Sequence, residues 1–408
     1  MNHTTKPTTL LCTVGTSLLC SNLRNFAPEK FSAHLSLAEA KLLAQANLPP
    51  GSTRLQHILN RIQASLYHRS WPELAHLLTE FPMQARILGA EINSIAAMMD
   101  KGLLADPPTR LVLLVSDTRA GADTGTVLRQ YFLSKNAPCR FSQVLVLVVD
   151  GLQDQSAERF QQEGLPNLVR LLADQTRQWS PSHVAINATG GYKAQIALAV
   201  AFGQVMGTPV YYKHELFDRI ISFPKVPFTM DLSLVEKDLG FWARISRPGA
   251  VFTYDELKSF AQPGSTTWES MLPLMDTIEE NGKFLYALSS LGLIYWEAFV
   301  ARHPDLKIRP AKAKKRRGCR FRDDHYPIGF KTWAEDIYLA HDFITECHSL
   351  PYDGQAAIKP GFVQDRERII GGYVDKNGFG ARLEVMTTCE NDLERAWVVD
   401  RLNRKKSS

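Results

Sequence analysis

The sequence predicts an α/β fold: a doubly wound parallel sheet in the first half, then a small connecting segment and an α+β segment. Three observations carry this. Short apolar runs alternate with stretches of helical periodicity up to about residue 235. The runs are continuous and rich in β-branched residues, the pattern of strands buried on both faces. They stop at Gly, Ser, Asp or Asn, residues that turn a strand into a loop.

The predicted strands are Thr8–Val14, Arg110–Ser116, Gln143–Asp150, Ser182–Ala188 and Pro209–His214. Helices are predicted over Pro166–Trp179 and Tyr192–Met206, the second with small residues that permit close packing on a sheet. A helical excursion, Leu35–Lys101, follows the first strand. Strand alternating with helix in this way is the layout of a Rossmann-like sheet. Past residue 235 the alternation stops. Tyr254–Leu257 and Thr266–Asn281 read as short helices, and Phe284–Phe299 as a strand and a helix. Lys331–Cys347 reads as a helix with an apolar stripe. Arg366–Val374, Arg382–Thr388 and Arg395–Val399 read as three strands, the first two joined by an Asn377-Gly378 hairpin turn. The expected domains are 1–235, 236–306 and 307–408.

Composition bounds the function. With 408 residues, 45% hydrophobic and 22% charged, the chain can bury a sizeable core without staples. Six scattered cysteines with no C-x-x-C pair argue against a zinc site and a disulfide framework, so a cytoplasmic setting is expected. No apolar run approaches the roughly 20 residues of a membrane span. Nine of the sixteen residues Lys307–Arg322 are Lys or Arg, so the net charge of +5 becomes −4 without them. Such local charge suits a phosphate backbone, with Lys312, Lys314, Lys315, Arg316 and Arg317 as RNA-binding candidates. A merely solvated segment is the alternative.

In an open α/β sheet, ligands bind outside the carboxyl ends of the strands. Gly15-Thr16-Ser17-Leu18 follows the first strand, Ser116-Asp117-Thr118 the second, and Asn187-Ala188-Thr189-Gly190-Gly191-Tyr192-Lys193 the fourth. Glycine lets backbone amides approach a phosphate, hydroxyls add donors, and Lys193 adds a full charge. Neither a G-x-G-x-x-G fingerprint nor a G-K-[ST] loop is present, which disfavours a dehydrogenase or an NTPase.

These loops, with Asp150-Gly151-Leu152, Gly164-Leu165 and Val210-Tyr211-Tyr212-Lys213-His214-Glu215, resemble the CRISPR-associated Rossmann-fold (CARF) domains of type III ancillary proteins over residues 8–235. The resemblance implies a homodimer that binds a cyclic oligoadenylate, most often the tetra-adenylate, as activator and needs no other cofactor. It implies Gly15, Thr16, Ser17, Leu18, Ser116, Asp117, Thr118, Asn187, Thr189, Gly190, Gly191, Lys193 and Glu215 as ligand residues. Some members slowly cut their activator, and Ser17 and Lys193 are the candidates for such ring nuclease chemistry.

The last hundred residues lack the paired carboxylates and lysine of a metal-dependent nuclease, and no metal is expected. Their layout resembles the RelE family of ribosome-dependent mRNA interferases, also known fused to CARF domains. That resemblance implies metal-independent endoribonuclease activity on messenger RNA at the ribosome, with Arg366, Arg368, Arg382 and Arg401 as catalytic candidates. The family often has a tyrosine after the last strand; this chain departs from that with Leu402-Asn403-Arg404, and Tyr373 is the candidate substitute. Arg320 and His325 match the R-x4-H spacing of HEPN ribonucleases, an alternative. A further alternative is a non-catalytic, ligand-controlled nucleic-acid-binding regulator with a helix-turn-helix in 236–300.

Overall fold

A computed structural model describes residues 6–24, 26–214, 219–224, 230–236, 239–260, 271–280, 282–303, 310–322, 325–351 and 358–403. The chain divides into two compact units, Met1–Thr229 and Met230–Ser408. The segments 236–306 and 307–408 both lie within the second.

The first unit is built on β1 (Thr9–Thr13), β2 (Arg110–Ser116), β3 (Gln143–Val149), β4 (Val184–Asn187), β5 (Val210–Tyr212) and β6 (Ile221–Ser222). Their order in the sheet is β3-β2-β1-β4-β5-β6. All neighbours are parallel except β5 and β6. The chain builds outward from β1 through β2 to β3, then crosses to β4 on the other side. The strand order therefore reverses between β1 and β4, which opens a crevice at their carboxyl ends.

The predicted strands form because their residues fill a two-sided interior. Every residue of β1 and β4 is buried, as is all of β2 after Arg110. β3 departs from the expectation of burial on both faces. It is an edge strand, half-exposed over much of its length, with Val148 49% exposed. A continuous apolar run looks the same at an edge as in the centre, so sequence alone could not separate them.

The helical excursion starts before the expected Leu35, with α1 (Pro28–Phe31), and continues through α2 (Leu37–Gln45), α3 (Thr53–Tyr67), α4 (Trp71–Leu78) and α5 (Gly89–Asp100). Ser36 and Glu39 form a capping box on α2, and the Ser52 hydroxyl caps α3. α6 (Arg119–Leu133), the short α7 (Ala157–Arg159), α8 (Leu165–Trp179) and α9 (Lys193–Met206) complete the unit. Gly203 on α9 sits where a side chain would collide with Val210 of β5, so small residues do set that helix close to the sheet.

The second unit contains α10 (Ser233–Glu236), α11 (Leu239–Ile245), β7 (Phe252–Thr253), α12 (Tyr254–Phe260), β8 (Met275–Glu280), β9 (Lys283–Leu288) and α13 (Ser290–Arg302). It continues with β10 (Gly318–Arg320), α14 (Phe330–Ala340), β11 (Ile344–Leu350), β12 (Gly361–Asp365), β13 (Arg368–Val374), β14 (Gly380–Thr387) and α15 (Asp392–Asn403). β7-β9-β8 is an antiparallel sheet. β10-β11-β14-β13-β12 is a second sheet, antiparallel except for β10 with β11. Trp242 of α11 stacks on Trp296 of α13, whose indole N–H donates to Asp400 of α15 at 3.3 Å. Arg244 of α11 donates to the Gln364 carbonyl of β12 at 2.7 Å.

Three expectations are corrected here. Within 266–281, residues 266–270 and Asn281 lie outside the described residues, and Met275–Glu280 is a strand, paired along its length with β9. The helix expected to reach Cys347 stops at Ala340, and Ile344–Leu350 is strand β11. Arg395–Val399 lies inside helix α15, not in a strand. Asn391 holds that helix's first turn, its Oδ1 accepting the Glu394 N–H at 2.9 Å. Trp397, Val398 and Val399 suggest a strand by propensity, but the cap and the burial of Ala396, Val398 and Val399 make a helix. The antiparallel meander is instead β12-β13-β14, with the Asn377-Gly378 hairpin as expected and Gly378 at φ +80°.

Candidate functional site

The site of the first unit starts from the loops after β1 and β4. The Thr13 hydroxyl donates to the Gly190 carbonyl at 2.6 Å, which ties one loop to the other. Asn187 is fully buried and donates to Ser94 Oγ at 2.8 Å and to Cys12 Sγ at 3.4 Å. Thr189 Oγ1 donates to Asn187 Oδ1 at 2.6 Å and accepts the Lys213 N–H at 3.0 Å. The ends of β1, β4 and β5 are thus tied together by buried and half-buried polar contacts, which fix the loop positions.

Between the loops lies Glu91, from the first turn of α5, fully buried. Its Oε1 accepts the Gly15 N–H at 2.8 Å. A Cβ on Gly190 would collide with that oxygen and stand 2.9 Å from the Gly15 nitrogen. Burial pushes the Glu91 carboxyl above the usual carboxylate range, and the Gly15 amide pulls the other way by less. The same burial, then the nearness of Glu91, pushes the Cys12 thiol up.

A cavity of about 660 Å³ opens beside these loops, within the range of small-molecule sites. Ser17, Thr189, Lys213 and His214 line one side. The other side comes from the helical excursion: Arg24, Phe26, Lys30, Phe31, His34 and Arg86, with Gly89 and Asn93 of α5. Among the described residues, Arg24, Lys30, Arg86 and Lys213 line the cavity with one acidic residue, Glu39. A cationic hollow with two phenylalanines suits an anion that carries flat rings. Sequence reasoning missed the excursion's contribution. Its one signal was the presence of Arg24, Lys30, His34 and Arg86 around a helical insertion that follows a ligand-type loop.

Of the predicted ligand residues, Ser17 and Thr189 line this cavity. Gly15, Thr16, Gly190 and Gly191 shape the loops beside it, and Leu18 is buried beneath them. Lys193 is exposed at the start of α9 and is not among the lining residues. Glu215 lies outside the described residues. Ser116, Asp117 and Thr118 serve the end of β2. Ser116 Oγ and Thr118 Oγ1 are 2.9 Å apart, and Thr118 caps α6 through the Gly121 N–H at 3.0 Å. Asp117 accepts the Gly151 N–H at 3.2 Å and pairs with Arg159. Thr118→Ala is therefore expected to cost about 1 kcal/mol of stability through the lost cap, read as a lowered midpoint in thermal unfolding.

In the second unit the four candidate arginines are not gathered in one cleft. Arg366 lies in the turn between β12 and β13 at φ +55°. Arg368 is held by both oxygens of Glu384, at 2.6 and 3.0 Å. Arg382 is the register partner of Gly372, four residues along β13 from Arg368, hence about 13 Å away along the strand. Arg401 is on α15, with its guanidinium 5.9 Å from the Phe343 ring. The Tyr373 hydroxyl donates to the Ile328 carbonyl at 2.8 Å.

Arg382 does meet a residue from the alternative reading. A small cavity of about 40 Å³ is lined by His325, Tyr326, Pro351, Phe379 and Arg382 among others. The His325 and Phe379 rings are 5.3 Å apart, and Arg382 donates to the Pro351 carbonyl at 3.4 Å. Arg320 lies on strand β10, 2.6 Å from Glu346, and the next helix starts at Phe330. Arg320 and His325 are thus not on a common helix. In the basic segment, Lys312, Lys314, Lys315 and Arg317 are exposed. Arg316 is half-buried over the Tyr338 ring and donates to the Tyr338 carbonyl.

Residues 86–226 match the family described as CRISPR-associated protein (Cas_APE2256). No curated protein matches the chain. Among solved structures, the chain is similar to Can2 from Sulfobacillus thermosulfidooxidans in complex with cyclic tetra-adenylate, at 16% identity and a TM-score of 0.20. That match covers 49% of this chain and 59% of the other. No helix among the described residues is long and apolar enough to cross a membrane.

Proposed function

We propose that the first unit senses a cyclic oligoadenylate in a type III CRISPR system, as a homodimer, and that the second unit is the RNA-cutting effector it controls. The observation that carries the sensor is the cationic cavity at the switch point, which Ser17, Thr189 and Lys213 line together with Arg24, Lys30 and Arg86. The CRISPR-associated family match over residues 86–226 supports it independently. A ring of identical nucleotides suits a symmetric dimer, because each protomer offers the same loops to half of the ring. Ser17 lines the cavity and Lys193 does not, so the proposal is for binding of the ring and not for its cutting.

Calorimetric titration with cyclic tetra-adenylate tests this. Lys213→Ala and Arg86→Ala are each expected to weaken binding by about tenfold, with a gap that narrows as salt rises. A wild-type protein that binds no cyclic oligoadenylate would refute the sensor.

For the effector, the reading is a RelE-like, metal-independent cut in messenger RNA at the ribosome, centred on Arg382 and His325. The ribose 2′-oxygen attacks the adjacent phosphorus and the bond to the 5′-oxygen breaks, leaving a 2′,3′-cyclic phosphate. His325 takes the 2′-OH proton, solvent returns one to the 5′-oxygen, and Arg382 stabilises charge on the phosphoryl oxygens. Phe379 offers a ring for the flanking base. Translating ribosomes incubated with protein and cyclic tetra-adenylate test the reading. Intact messenger, with free RNA also uncut, would favour a binding regulator instead.

A further inference from the structure

Glu91 places an acid between two loops that are shaped to receive phosphate. Oε1 takes the Gly15 N–H, and Oε2 is buried with no hydrogen-bond partner. An ionised carboxylate with one oxygen left bare in the interior is costly. A protonated one keeps its carbonyl oxygen for the Gly15 N–H and sheds the charge.

Among the described residues, the groups packed against the Glu91 carboxyl are neutral, and the cations Arg24, Lys30, Arg86 and Lys213 line the adjoining cavity. β1 presents the Cys12 thiol, and the loop after β4 presents Asn187 and Gly190-Gly191. α9 presents Gln195, whose Nε2 is also buried without a partner, while its Lys193 is exposed. α5 itself adds the Ser94 hydroxyl, which donates to the Glu91 main-chain oxygen at 3.0 Å and not to the carboxyl. Among the described residues, Glu91 has no ion pair with Lys, Arg or His.

We propose that Glu91 is a proton-linked latch of the ligand site: an anionic ligand seated on the Gly15–Ser17 and Thr189–Gly191 loops binds with Glu91 protonated, so that binding takes up a proton. The proposal rests on the reading of the adjoining cavity as a phosphate-ligand site. A phosphate on one side of the loops and a carboxylate on the other repel across a medium that screens poorly. Protonation removes the repulsion without releasing the Gly15 loop. Glu91 is a positioning residue here, since it acts through the loops.

Glu91→Gln tests this, because the amide oxygen still accepts the Gly15 N–H while the charge is gone. The dissociation constant of cyclic tetra-adenylate for the wild type is expected to rise with pH, by up to about tenfold per unit across the linked window. Glu91→Gln is expected to bind with a flat profile, and titrations in buffers of different ionisation enthalpy to show proton uptake by the wild type alone. A flat wild-type profile, or the same slope in the variant, overturns the latch.

A ligand-free measurement separates its failure from that of the sensor reading. Burial raises the folded-state pKa of Glu91, so its relative stability is full below about pH 4.3 and is lost as pH rises through the folded value. The melting temperature of the wild type relative to Glu91→Gln should therefore fall with pH over that window. If it does not, the latch is wrong whatever the ligand. If it does and cyclic tetra-adenylate fails to bind, pyrophosphate is the probe, and a pH-independent affinity for it overturns the latch.

Discussion

Gly190→Ala is expected to lower the stability of the first unit by about 3 kcal/mol and to weaken ligand binding by about a hundredfold or more. The added methyl has nowhere to go. It meets the buried Glu91 Oε1 on one side and the Gly15 backbone nitrogen at 2.9 Å on the other. The first ends a side chain that is fully buried and held by the Gly15 N–H, and the second is backbone, so the loop must move or the Gly15–Glu91 bond must lengthen or break. For a unit of this size the midpoint should drop by roughly 6–12 °C in scanning calorimetry. Gly207→Ala is the control. Gly207 is also a glycine beside α9, at φ +69°, but with nothing within 4 Å of an added Cβ. Its cost should be about 1 kcal/mol, from the backbone conformation alone. Equal losses for the two variants would show that the seam between the loops is not tight.

Arg382→Ala is expected to reduce ligand-activated RNA cutting by about 10²–10³-fold, with KM changed little, because the guanidinium acts on charge that develops at the phosphoryl oxygens. Arg368→Ala is expected to stay within a few-fold of wild type. Both arginines were candidates by sequence, and the expected ranking follows from their different surroundings. Arg368 is already neutralised by Glu384 through two hydrogen bonds, whereas Arg382 lines the cavity that also holds His325 and Phe379. His325→Ala should lower kcat by about 10²-fold and alter the pH profile of cutting, which a purely structural role would not do. The opposite ranking of Arg368 and Arg382, measured by primer extension on a defined messenger, would move the site to the other end of β13.

Much of the first unit was legible because its strands announce themselves. Leu111–Val115 has no polar residue and is fully buried, and Gly15 and Asn187 stop their strands where the loops begin. The second unit was less legible. Trp397-Val398-Val399 has the propensity of a strand, and the Asn391–Glu394 cap that turns it into a helix is a weaker local signal. Ile344–Leu350 was absorbed into the preceding helix because Phe343 and Ile344 continued its apolar stripe. In both cases a local signal was outweighed by pairing or packing with distant residues.

By itself the sequence determined the parallel sheet, its alternation with helices, and the glycine and hydroxyl loops after β1 and β4. These depend on residues close in the chain, whose periodicity and turn chemistry act locally. The tertiary structure alone decided which cations face those loops. Arg24 and Arg86 are sixty-two positions apart and reach one cavity only through the packing of α1 to α5. It also decided that Glu91, an ordinary acid in a helical stretch, lies buried between Gly15 and Gly190. A burial that depends on strands and helices from both ends of the unit leaves no trace in the residues beside it.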